Sequence, residues 1–289
     1  LQPVKIDSQK ELPKWAQSGI TMIDVRLQRL TTLLENIESS LTFMKVNQIG
    51  WKTWQNFAQE WAETCCLMAQ VDLAIQPQHK TMFQNAISNT DILFTNWLLK
   101  NYTSLGVQRL PTPHHVHHIP HFLAYLHNLG NLSKVVLLVM DCLSLADWQV
   151  ISSVWTKRHP DWRIKTESLL AQIPTITSIS RYALISGLRP ADFPGGIGSG
   201  ISEARTWELF WSHEGINGKM CKLLPLYYDR QIDQKPELQD PKINFWCLID
   251  DTLDKLAHNA ILGAVDQQSS LRLWLDPGHE QNSIALENQ

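Results

Sequence analysis

Val135-Val136-Leu137-Leu138-Val139-Met140-Asp141 is an unbroken apolar run that stops on an acid. A run without polar alternation reads as a strand buried on both faces, the pattern of a parallel sheet covered by helices. The Asp141 carboxylate then sits where the strand emerges, and ligands of open α/β sheets bind at that carboxyl edge. Further on, Ile173-Pro174-Thr175-Ile176-Thr177-Ser178-Ile179-Ser180-Arg181 places hydroxyls at a proline-marked strand-to-helix junction. Thr177 or Ser178 is expected to cap a helix running through Tyr182, Ala183, Leu184 and Ile185 to Gly187. A hydroxyl there faces the positive end of a helix dipole, where phosphate is welcome. The two segments together suggest a metal-assisted phosphoryl-transfer site.

Around them the second half alternates strand and helix. Ser144 to Lys157 predicts a helix with Leu145, Trp148, Ile151 and Trp155 on one face, and Trp162 to Leu170 predicts a strand leading into the proline junction. Ile201 to Met220 reads as an inserted helix rich in Trp and charge. Ile243-Asn244-Phe245-Trp246-Cys247-Leu248-Ile249 is a second buried strand, and it too ends on acid, Asp250-Asp251, before Thr252-Leu253-Asp254-Lys255-Leu256-Ala257-His258. Two strands therefore deliver carboxylates to one edge. Without the resemblance described below, Asp250 or Asp251 reads equally well as a helix N-cap, and Asp141 and Thr177 as a loop acid and a capping residue. The glycine-rich run Pro194-Gly195-Gly196-Ile197-Gly198-Ser199-Gly200 lacks the preceding strand and the spacing of a dinucleotide site, so it reads as a mobile surface loop.

From about residue 20 to residue 100 the period is helical. Ile23, Leu27, Leu30, Leu34, Ile37 and Leu41 recur at three- and four-residue steps, and Trp51, Trp54, Phe57, Trp61 and Ala62 do the same. This predicts a helical bundle over 1–105, with the tryptophans as packing residues rather than a base-stacking surface. The Pro- and His-rich stretch 106–130 is the expected linker, because its prolines remove donors and discourage helix. Its histidines, His114, His115, His117 and His118 with His121 nearby, are ligand types, but adjacent side chains of an extended segment point to opposite faces. A packed or solvated linker is the expectation there. An α/β domain is expected over 131–289.

Composition bounds the class. The chain has 289 residues, 44% of them hydrophobic and 18% charged, enough for two domains and a full-sized core. No apolar run approaches membrane-spanning length and no basic-then-apolar leader opens the sequence, so a cytoplasmic protein is expected. Five scattered cysteines match neither a paired framework nor a zinc spacing and are expected as buried thiols of a reducing compartment. A formal charge of −3 gives no basic footprint for nucleic acid, although a local groove could still be positive. The first residue is Leu1, and the last ones look like an amphipathic helix cut midway, so a piece of a longer protein is expected.

The stretch from about Phe94 to His279 resembles the PglZ domain, a branch of the alkaline phosphatase superfamily found in bacterial and archaeal phage-defence systems of the BREX type. The resemblance rests on Val-Leu-Leu-Val-Met-Asp-Cys-Leu-Ser-Leu-Ala-Asp-Trp at 136–148, Ile-Pro-Thr-Ile-Thr-Ser-Ile-Ser-Arg at 173–181, Ala183-Leu184 and Ser186-Gly187-Leu188-Arg189-Pro190. It implies an alkaline-phosphatase-like, mostly parallel sheet, Asp141 as a metal ligand and Thr177 as the nucleophile. It also implies two divalent ions (Zn, Mn or Mg), with a later ligand pair in one of two registers, Asp250 with Asp254 or Asp254 with His258. Such a division of labour is chemically sound. A threonine hydroxyl is a weak nucleophile until a metal lowers its pKa, and two ions roughly 4 Å apart clamp both oxygens of an in-line displacement. Arg181, one turn beyond Thr177, could neutralise phosphate oxygens or be an ordinary ion-paired arginine.

This chain departs from the family pattern in lacking a later strand with Asp-His-Gly. Asp276-Pro277-Gly278-His279 reads as a turn instead. The expectation is a metal-dependent phosphohydrolase or phosphodiesterase acting on a phosphate ester, nucleic acid being one class, alongside other defence proteins. The alternative is a non-catalytic interaction module of the defence complex. A mutase of small phosphorylated metabolites would need a denser Arg and Lys cluster than 173–200 supplies.

Overall fold

The computed structural model describes residues 4–6, 20–22, 24–70, 77–107, 113–193, 202–226, 240–279 and 282–287. The chain divides into two compact units, Leu1–Thr95 and Asn96–Gln289. The division falls inside one long helix rather than at the expected linker.

In the first unit, short strands β1 (Val4–Ile6) and β2 (Ile20–Met22) pair in parallel, an addition to the all-helical expectation. Helix α1 (Val25–Val46) starts where the Asp24 carboxylate accepts from Arg26 N–H, and it buries Leu30, Leu33, Leu34, Ile37, Leu41 and Met44. Ile23 lies outside the described residues. Helix α2 (Trp51–Met68) buries Trp54 and Phe57, and Trp61 stacks at 5.3 Å on Phe83 of α3 (Pro77–Val107). These aromatics fill space between helices, as their period predicts.

The second unit holds α4 (His118–Asn128), β3 (Val135–Met140), α5 (Leu145–Arg158), α6 (Thr177–Ser186), α7 (Glu203–His213), β4 (Cys221–Leu226), β5 (Phe245–Asp250), α8 (Thr252–Asn259), α9 (Ala264–Trp274) and α10 (Ile284–Glu287). Its sheet is a small parallel one in the order β3-β5-β4, with Val135 opposite Phe245 and Met140 opposite Asp250. Alternate side chains face opposite layers. Val135, Val139, Phe245, Cys247 and Ile249 pack on α4, α6 and α7, with Trp207 and Trp211 fully buried among them. Met140 and Leu138 meet Ile151, Trp155, Leu253, Leu271 and Trp274 of α5, α8 and α9. The result is an α/β unit of three parallel strands between two helical layers.

Three expectations need correction. Residues 162–170 are not a strand: their only ladder contact among the described residues is a bridge between Leu170 and His115, and a strand needs a neighbour to satisfy its donors. Residues 203–213 form the expected helix but not a peripheral insertion, because α7 supplies Trp207 and Trp211, two of the largest fully buried side chains of the unit. The stretch 106–130 is more than a linker, since it carries α4, whose His118 and Pro120 are buried. Pro120 falls early in α4, where a missing N–H costs nothing. Strand β4 was not foreseen. The glycine-rich run at 194–200 lies outside the described residues.

The histidine stretch is an interior feature. His117 and His118 each place Nε2 3.1 Å from Gly106 O, and His115 Nε2 lies 3.2 Å from Tyr102 O, so the rings serve carbonyls at the end of α3. His115 is 1% exposed, and its Nδ1 meets no hydrogen-bond partner. Burial pushes the His115 and His118 rings down to about 4, with neighbouring imidazoles adding to the effect. The native state therefore refuses protons that an unfolded histidine accepts near pH 6.5. Stability should be full above that pH and decline as pH falls from 6.5 toward 4. The contribution of His115 alone is on the order of 3 kcal/mol. Urea unfolding of the wild type and of His115→Phe across this range should reveal a steep loss in the first and a flatter one in the second.

Candidate active site at the carboxyl edge of the sheet

Asp141 and Asp250 leave adjacent parallel strands side by side. The Asp141 N–H donates to Asp250 O at 2.8 Å, extending the β3–β5 ladder by one rung. Asp250 is 7% exposed, and its Oδ1 accepts from Thr252 N–H at 3.0 Å, so it serves the first turn of α8. Burial raises its carboxyl pKa and the Asp251 charge adds to this, while the bonds from Thr252 pull the other way. Asp251 occupies the N-cap position of α8 without a side-chain cap bond, and its Oδ2 pairs with Lys255 at 3.2 Å.

After β3 the chain turns sharply. Leu143 N–H donates to Met140 O at 3.2 Å, Cys142 N–H donates to Asp141 Oδ1 at 3.0 Å, and Cys142 has φ of +64°. A non-glycine residue in the left-handed region costs about 1–2 kcal/mol, so the turn that presents Asp141 is strained. Burial raises the Cys142 thiol pKa, and the charges of Asp254, Asp141 and Asp147 add to it. Asp254, in the first turn of α8, therefore lies within electrostatic reach of the end of β3. Asp147 is buried under Ser144, Gln267 and Gln268, which makes it a structural tie between α5 and α9.

Helix α6 brings Thr177 and Arg181 toward the same edge. The N-cap residue is Ile176 rather than Thr177 or Ser178, and no side chain caps the helix. Ile176 has the extended φ and ψ that a β-branched residue favours, so Thr177 has already entered the first turn. Thr177 is exposed. One turn on, Arg181 Nη1 lies 3.4 Å from Asp141 Oδ2, while its Nε and Nη2 donate to Glu203 Oε1 at 2.8 and 2.5 Å. Burial opposes the guanidinium charge, but Glu203 and Asp141 outweigh it and hold the Arg181 pKa above its usual value. His258 stands apart: its side chain is 80% exposed, with Nε2 3.6 Å from Asp254 Oδ1.

The structure joins Arg181 to Asp141, sets Asp141 and Asp250 on neighbouring strand ends with Thr177 a turn away from Arg181, and leaves His258 in solvent. Glu203 was missed by sequence reasoning. Its contact with Arg181 spans 22 residues and leaves no periodic signal. No family model and no curated protein matches this chain.

A hard divalent cation suits Asp141 and Asp250 in kind, because both are carboxylates on neighbouring strand ends and burial makes Asp250 costly as an unaccompanied anion. Among the described residues no three His, Cys, Asp or Glu side chains converge on a point where a metal ion could sit.

Strain at the Cys142 turn is testable. Cys142→Gly should raise the melting temperature by a few degrees, about 1 kcal/mol, whereas Cys142→Val should lower it. Equal melting temperatures for the two variants would refute a strained turn.

Proposed function

We propose that this chain carries the phosphate-handling edge of a PglZ-like, metal-dependent phosphohydrolase or phosphodiesterase of the alkaline phosphatase type, with Thr177 as its nucleophile. The reading rests on one contact above all. The 3.4 Å approach of Arg181 to Asp141 ties the helix that bears Thr177 to the carboxylate at the end of β3. Hydroxyl, guanidinium and carboxylate are the three group types that phosphoryl transfer to a threonine requires.

Thr177 sits at the first position of α6, whose leading N–H groups have no side-chain cap and point toward any anion placed there. The Thr177 oxygen forms the bond to phosphorus as the ester P–O bond breaks. The hydroxyl proton ends on the departing alcohol, and water then cleaves the Thr177 phosphoester and restores the hydroxyl. Arg181 neutralises phosphate oxygens with a planar, permanently charged fork. Asp141 and Asp250 would hold a divalent cation (Zn, Mn or Mg), with Asp254 as a further candidate ligand. Such an ion, when bound, supplies a lowered hydroxyl pKa and a Lewis acid for the phosphoryl oxygens. His258 would join only by leaving its solvent-facing position.

The biological setting that goes with this reading is BREX-type phage defence in the cytoplasm, with a phosphate ester as substrate, nucleic acid among the classes, and other defence proteins as partners. Among the described residues no helix is long and apolar enough to cross a membrane. The second reading, a non-catalytic interaction module, draws on one observation: Asp141 already has a cation, Arg181, beside it.

Hydrolysis of an activated phosphodiester with added zinc, manganese or magnesium decides between them. Turnover that falls about 10³-fold or more in Thr177→Ala is the expected outcome. Turnover indifferent to Thr177→Ala, or none in any metal, would favour the interaction module.

A further inference from the structure

Helix α6 carries Thr177 and Arg181, yet little fixes where it begins. Residues 173–178 are all exposed, so burial holds nothing between Gln172 and Ile179. No side chain caps the helix, and its first main-chain bond runs from Ser180 N–H to Ile176 O. Among the described residues the last hydrogen bond before that one is donated by Ile173 N–H to the Tyr102 hydroxyl at 3.0 Å. Gln172, 3% exposed, donates its Nε2 to the same oxygen at 3.3 Å. One hydroxyl from another element is therefore the nearest fixed point to Thr177.

Tyr102 is itself held. It lies near the end of α3, its ring meets His115 edge-on at 4.4 Å, and its carbonyl is 3.2 Å from His115 Nε2. Leu170 N–H donates to His114 O at 2.8 Å, which ties the segment leading to Gln172 to the same histidine stretch. The far end of α6 meets that stretch as well, since His121 Nε2 lies 3.0 Å from Gly187 O.

We propose that Tyr102 is a positioning residue whose hydroxyl sets the loop 173–176 and the start of α6 with Thr177, while His121 fixes the other end of the helix. The histidine-rich residues 114–121 are then the frame that holds α6, which is the use the fold makes of them. The hold stands on these contacts alone, and its consequence for turnover rests on the phosphoesterase reading.

Hydrogen exchange of the full chain tests the hold without any turnover. Tyr102→Phe keeps the ring against His115 and removes only the oxygen. The Ile173 and Ser180 amides should then exchange about tenfold faster than in the wild type, because the loop and first turn open more readily. Arg158→Gln is the control. It removes the ion pair with Glu287 at the end of α5 and should lower the melting temperature, but those two amides should keep their wild-type rates. In the phosphodiester assay Tyr102→Phe should lower kcat about tenfold with KM within about twofold, since the attacking oxygen is less well placed while the phosphate contacts remain.

Ile173 and Ser180 amides that exchange at the wild-type rate in Tyr102→Phe, or that speed up equally in Arg158→Gln, would overturn the hold whatever the turnover does. Faster exchange beside an unchanged kcat would overturn the positioning of Thr177. A wild type that hydrolyses nothing would sink the phosphoesterase reading instead, and the exchange rates alone would then decide whether Tyr102 sets α6.

Discussion

Parallel pairing of β3 with β5 sets the geometry of everything else in the second unit. All six residues of β5 are buried, so this strand has no solvent face and must be covered above and below. The register, Val135 on Phe245 through Met140 on Asp250, sends odd-numbered residues to α4, α6 and α7, Leu138 and Met140 to α5, α8 and α9, and Trp246 and Leu248 to a cluster with Ile243 and Leu224. A slip of one residue would reverse every side chain of β3. The same register brings Asp141 and Asp250 out beside each other, so packing of the core and placement of two acids are one constraint.

Two carboxylates at adjacent strand ends are an electrostatic burden, and the structure meets it unevenly. Asp251 is matched by Lys255 within one helical turn. Asp141 is matched from a distance of 40 residues by Arg181. Asp250 has backbone and hydroxyl donors from Thr252, and the Lys255 charge acts on it more weakly than burial does, so burial dominates its ionisation. Asp147, buried nearby, is satisfied by neutral donors and belongs to the scaffold. Carboxylates of similar sequence context thus fall into different physical classes according to what reaches them.

Much of this was legible in the sequence, and what was not has physical causes. The runs at 135–141 and 243–250 announced buried strands because they are apolar without alternation, and the apolar face of Leu145, Trp148, Ile151 and Trp155 announced α5. Strand β4 hid because it is an edge strand of mixed exposure that contains Pro225, tolerated only at an edge. The segment 162–170 has strand-like composition, yet composition cannot supply the neighbour a strand needs. The histidines read as linker because their partners, the carbonyls of Tyr102 and Gly106, are main-chain atoms that no side-chain pattern reveals. For the candidate site, Asp141, Asp250 and Arg181 could be picked out as strand-end acids and a helix-face cation, whereas Glu203 could not, since its role depends on how α6 and α7 lie together.

Helices α6 and α7 run side by side in the same direction, and that arrangement gives the edge its character. Near their beginnings Arg181 meets Glu203, and near their ends His121 lies 3.0 Å from Gly187 O and 3.3 Å from Glu214 Oε1. Gly187, at φ of +69°, leaves no room for a side chain, because a Cβ there would come within 2.7 Å of His121 Nε2. Trp211 packs at a tilt 4.0 Å from Phe245, and Trp207 Nε1 donates to Phe245 O, which fixes α7 to the start of β5. With both helices held at their ends and against the sheet, their amino termini come to the edge where Asp141 and Asp250 emerge. Arg181, in the second turn of α6, links Glu203 at the start of α7 to Asp141 at the end of β3.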